Sequence, residues 1–155
     1  MDKKRMTQLI KLADEVLVSS GIKQQNSNDI KDSYNGQTAA FGIAVLMSGL
    51  VPALVIYYQD ANENREINRR TILTAVGQMI GRDPKATAMI ADRPMNQTIR
   101  DADTLLKAAI QCVDVKKDAD AKKDADKKKQ LKQLSREVVE CATALKLIIR
   151  TYNLV

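Results

Sequence analysis

Arg65, Arg69 and Arg70, in the stretch REINRR, are the side chains best suited to chemistry in this sequence. On a helix Arg65 and Arg69 stand one turn apart, with Arg70 adjacent. A guanidinium is planar, permanently charged and forked in its donors, so such a trio can grip phosphate oxygens. The same spacing can instead pair the trio with Glu63 and Glu66 on a solvated helix face. Lys146 and Arg150 repeat the one-turn spacing near the C-terminus, beside an apolar seam. Lys127, Lys128, Lys129 and Lys132 form the densest basic cluster, with aspartates interleaved just upstream. Contacts from such groups to phosphates are indifferent to base sequence and weaken with salt. Arg65, Arg69, Arg70, Lys146, Arg150, Lys128 and Lys129 are therefore the candidate phosphate-binding residues. No aromatic residues interleave with them, so base stacking is not their mode.

No catalytic constellation accompanies these cations. The chain has no His, hence no Cys–His or Ser–His pair, and it is expected not to be an enzyme. Gly77 and Gly81 in GQMIGRDPKAT lack the Gly-Lys-Ser/Thr that completes a phosphate loop. Asp114, Asp118, Asp120, Asp124 and Asp126 invite comparison with a calcium loop, but the glycine and the closing Glu are missing and lysines alternate with the acids. Cys112 and Cys141 have no CxxC spacing, so no metal or cofactor is expected, and both are expected as buried free thiols in a reducing cytoplasm.

The elements that position the cations are helical. Among 155 residues there are 6 Gly, 3 Pro, 1 Phe, 4 Tyr and no Trp, while Ala, Leu, Lys and Gln abound. Those residues lose least on entering a helix. The expectation is an all-α fold, one domain over residues 1–155: a compact bundle of about six to seven helices around a buried apolar central pair. Periodic apolar residues predict helices over 3–19, from near Asp29 to Ser48, over 51–60, over 62–81 with Ile67 to Ile80 inward and Gly81 as its stop, from Asp83 to about Ala91, over 97–113 and over 129–153. Residues 114–130, with KKDADA followed by KKDADK, read as a charged loop or helical extension. The net charge of +6 lies mainly in residues 114–155, where 11 basic residues face 7 acidic ones. That bias suits an anionic partner.

The stretch AFGIAVLMSGLVPALVIYYQ, residues 40–59, tests this picture. No charge occurs between Asp32 and Asp60, and about 20 apolar residues can span a bilayer. Against a span, the other amphipathic stripes need something to pack on, and an apolar helix pair folded at Ser48-Gly49 supplies it. Pro52 then falls in a first helical turn, where its missing N–H costs nothing. The N-terminal MDKKRMTQLIKLADEVLVSSG reads as an amphipathic helix closed by Gly21, not as a signal peptide.

Once folded at that corner, the segment resembles the small (fifth) subunit family of the type III-B CRISPR effector, the Cmr RNA-targeting complex. The residues that carry the resemblance are Tyr34, the apolar helix, Ser48-Gly49-Leu50, and Ala53, Leu54 and Tyr57. Arg5 near the start and ALKLIIRTYNL at the end agree more loosely. The resemblance implies a non-catalytic helical subunit that contacts guide and target RNA, which turns the candidate phosphate-binding residues into candidates for RNA. It also implies stacking on copies of itself and on the other Cmr subunits, in the cytoplasm, with no membrane. A helical protein-interaction module with no nucleic-acid role remains the alternative.

Overall fold

Helix α1 (Lys3–Ser20) begins where the side chain of Asp2 accepts a hydrogen bond from the N–H of Lys4 at 3.2 Å, and it ends at Gly21, whose φ is +94°. A left-handed residue there lets the last carbonyls find donors, which glycine does without a Cβ clash. A computed structural model describes residues 2–59, 67–86, 99–113 and 121–155. It shows an all-α architecture: among the described residues, six helices share one core.

Helix α2 (Asp32–Ser48) and helix α3 (Leu50–Tyr58) fold back on each other at Gly49, with φ +91° and ψ 163°. Pro52 lies in the first turn of α3 as expected. Phe41 and Tyr57 meet across the pair at 5.0 Å between ring centroids. Phe41, Val45, Leu50, Ala53 and Leu54 join the core. The sequence predicts that α2 is buried nearly all round beyond Ala39. Instead it buries one stripe, and Ile43, Leu46 and Met47 on its outer side are 60%, 71% and 81% exposed. No helix among the described residues is long and apolar enough to cross a membrane.

Helix α4 (Arg70–Arg82) buries Ile72, Leu73, Val76, Met79 and Ile80 as their spacing predicts. It does not stop at Gly81. Gly77 and Gly81 serve a different purpose, because an incoming segment lies directly on them. A Cβ on Gly77 would sit 2.4 Å from the carbonyl oxygen of Asp101, and one on Gly81 would sit 2.3 Å from that of Ile99. Helix α5 (Ala102–Gln111) follows, capped reciprocally by Asp101 and Thr104. Its inner face holds Leu105 and Ala109, whereas Ile110, expected inside, is 49% exposed.

The long helix α6 (Ala121–Ile149) packs against α1, α2 and α4. Of its expected seam, Leu134, Val138, Cys141 and Leu145 are fully buried, while Ile148 and Tyr152 are only half-buried and Tyr152 lies past the helix; the thiols of Cys112 and Cys141 are buried. The charged stretch 114–130 is thus a helical extension from Ala121 on; residues 114–120 lie outside the described residues. The helix ends earlier than its periodicity suggests. The chain turns at Thr151 so that β2 (Asn153–Leu154) pairs in parallel with β1 (Asp29–Ile30). This two-residue ladder delays the start of α2 from Asp29 to Asp32, since Ile30 is buried as a strand residue.

Candidate polyanion-binding face

The arginines that open the sequence argument are positioned for structure. Arg70, the first residue of α4, directs Nε and Nη2 at the carbonyl oxygen of Tyr58, at 3.0 and 2.8 Å. That carbonyl belongs to the last turn of α3 and has no partner within its own helix, so the guanidinium caps it. The same guanidinium stacks 4.1 Å from the centroid of the Tyr58 ring. Tyr58 in turn donates its hydroxyl to Asp103 of α5, and this bond raises the Tyr58 pKa. Arg69 lies 4.7 Å from the Tyr57 ring centroid. The expectation of Arg65, Arg69 and Arg70 along one helix face is corrected in part: Arg69 precedes the helix, Arg70 is committed to α3, and Arg65 lies outside the described residues.

A different set of cations comes together along α6 and at Arg150, the residue just past its end. At 100° per residue, Lys128, Lys132, Arg136, Lys146 and Arg150 fall within one narrow sector of the helix surface. Four of these five are exposed and Lys146 is half-buried. They span about 33 Å at 1.5 Å per residue. Between residues 125 and 150 the carboxylates are Asp126, Glu137 and Glu140, and all three fall outside that sector. Among the described residues, Lys128, Lys132, Arg136 and Lys146 have no carboxylate within ion-pair distance. Arg150 donates from Nε to the side chain of Asn35 at 3.1 Å, which ties the end of the stripe to the start of α2. Of the expected site residues, the structure therefore aligns Lys128, Lys146 and Arg150, with exposed Lys129 at the stripe's edge. Arg136 was the residue missed. Its i+4 spacing from Lys132 was visible, but it stands beside Glu137, which disguises it until that carboxylate is seen to point inward.

The inward carboxylates explain why the stripe is unopposed. Arg5 is only 8% exposed, and its Nη1 donates to Asp83 at 2.9 Å while Nη2 reaches both Asp83 and Glu137, the latter at 2.6 Å. Its Nε lies 3.7 Å from Glu140, and Lys85 stands 4.0 Å from Glu137. The bond to Asp83, with the nearby negative charge, raises the Arg5 pKa despite burial. Burial raises Glu137, against the lowering pull of Arg5. Desolvation raises the pKa of the fully buried Cys141 thiol as well, which favours its protonated form. Among the described residues no group of His, Cys, Asp and Glu is arranged to hold a metal ion.

No family model matches the chain, and neither a curated protein nor a solved structure matches it.

Proposed function

We propose that this chain is a non-catalytic helical subunit that lies along a nucleic-acid backbone, with RNA as the polyanion. The carrying observation is the stripe along α6: five cations in one sector, with Glu137 and Glu140 turned inward toward Arg5. A phosphate chain meets such a surface without base recognition. The resemblance of the Ser48-Gly49-Leu50 corner to the Cmr small-subunit family favours RNA over DNA, and a role beside other Cmr subunits and copies of itself around guide and target RNA in antiviral defence. Titration of a labelled single-stranded RNA tests the reading. Binding at low salt, weakened by added salt and by the combined changes K128E, K132E and R136E, is the expected result. Absence of binding at low salt, both for the chain alone and with its co-expressed partner subunits, refutes it.

A second reading, a protein-interaction module without a nucleic-acid role, is favoured by the exposed Ile43, Leu46 and Met47. It predicts that RNA never binds while a protein partner does.

A further inference from the structure

Helix α2 lies antiparallel to α6, with Asn35 beside Arg150 and Gly42 opposite Ala142. Where small residues meet, the two helices leave an apolar groove of about 150 Å³. Small and aliphatic residues of both helices line it, among them Gly42, Ile43, Leu46 and Ala142, together with Thr38, Thr143 and Lys146. Ile43, Leu46 and Met47, at i, i+3 and i+4, continue the apolar surface outward along α2. The groove is open to solvent along one side, which gives an incoming apolar side chain access to it. The surface thus offers a socket for one large apolar side chain, an apolar shelf around it, and cations beside it.

We propose that this groove is the seat of an acidic amphipathic helix from another protein. The partner inserts one apolar side chain between α2 and α6, lays its neighbours on Ile43 and Met47, and sets a carboxylate against Lys146. Charge complementarity selects this occupant. Arg136 and Arg150 flank the groove along α6, and Asp32, at the far N-terminal end of α2, is that helix's only acidic residue. A second copy of the chain is disfavoured, because a molecule of net charge +6 would bring like charges to the same stripe. A bilayer surface does not fill a socket, and the chain has no Trp to seat at a lipid interface. Nucleic acid can satisfy Lys146 but has no aliphatic knob for the groove. Docking of an amphipathic helix into an apolar groove with a charged rim is a recurring solution to this shape. The inference stands apart from the RNA reading and shares with it the cations Arg136, Lys146 and Arg150.

The test uses the full chain and two stapled, fluorescently labelled helical peptides. Both carry leucines at helical spacing; one is flanked by glutamates, the other by lysines. The glutamate peptide is expected to bind saturably and about tenfold more tightly than the lysine peptide. Leu46→Ser, an exposed position that leaves the core intact, should abolish binding of the glutamate peptide. Lys146→Glu should shift the preference toward the lysine peptide, a reversal that a merely damaged fold cannot produce. Equal binding of both peptides, no binding, or binding unaffected by Leu46→Ser overturns the proposal. So does a concentration-dependent dimer, or sedimentation with phosphatidylserine vesicles, if either is lost in Leu46→Ser. The K128E/K132E variant, which leaves the cations around the groove in place, should weaken RNA binding yet keep the glutamate peptide, so the two readings fail separately.

Discussion

Arg5 and Asp83 stand 78 residues apart in the chain and form a two-pronged ion pair inside the fold, with Glu137 sharing the same guanidinium. The contact ties α1 and the end of α4 to α6. Removing the cation would strand buried carboxylates, and breaking a buried pair from one side typically costs about 3–5 kcal/mol. Arg5→Met should therefore lower the urea midpoint severely at constant m-value. Arg5→Lys should recover part of the loss, since an ammonium keeps the charge but not the fork. A midpoint for Arg5→Met equal to that of the unmodified chain would show that the cluster holds nothing together.

Two glycines on α4 permit another close approach. Gly77 lies under the Asp101 carbonyl and Gly81 under that of Ile99, each too near for a Cβ. Their partners are backbone atoms and cannot swing aside. Overpacking of this kind costs about 1–3 kcal/mol and can exceed it. Gly42 supplies the control, because its Cβ would rest 3.9 Å from that of Ala142 in ordinary contact. Gly77→Ala and Gly81→Ala should lower the melting temperature, while Gly42→Ala should hold or raise it, gaining up to about 1 kcal/mol of helix propensity. Similar melting temperatures for all three would contradict the packing at residues 99–101.

Two carboxylates should give stability opposite dependences on pH. The Glu137 pKa is raised in the folded state by burial. Its contribution is complete below the unfolded value and is lost as pH rises through the folded one. Asp101 is lowered by hydrogen bonds from the Thr104 backbone and side chain. Its contribution is present above the unfolded value and disappears as pH falls through the folded one. Glu137→Gln keeps an acceptor for Arg5 and should flatten the decline in stability on the upper side of the carboxylate range. Asp101→Ala should remove the acid-side loss together with the cap, worth about 1 kcal/mol. Urea midpoints measured from acidic to neutral pH check both.

Much of this fold was legible because the buried positions recur at helical spacing. Leu134, Val138, Cys141 and Leu145 form the predicted seam, and Gly21 and Gly49 end helices where their backbone freedom suggests. What escaped depends on residues distant in the chain. Neither the pairing of Ile30 with Leu154 nor that of Arg5 with Asp83 has a local signature. Arg70 shows the same limit for function: its spacing suits phosphate, yet the Tyr58 carbonyl takes its donors. Arg136 shows the converse, since Glu137 screens it in the sequence and turns away from it in space. The apolar run of α2 was read as core because composition does not reveal which side of a helix remains uncovered.

The division between Arg70 and the α6 stripe leads to the most discriminating prediction. If five cations each neutralise one phosphate of a single strand, the logarithm of affinity should fall with that of salt at a slope near −3.5, taking about −0.7 per contact. Removing Lys128, Lys132 and Arg136 by substitution with Gln should reduce the steepness by about 2. Arg70→Ala should instead leave the slope alone and lower stability by about 1.5–3 kcal/mol, the scale of hydrogen bonds to a charged group. The measurement is RNA anisotropy across a salt series, paired with urea unfolding of the same variants. If Arg70→Ala flattened the slope as much as the triple Gln variant, with no loss of stability, the phosphate path would run along α4 and the stripe on α6 would be only a solvated surface.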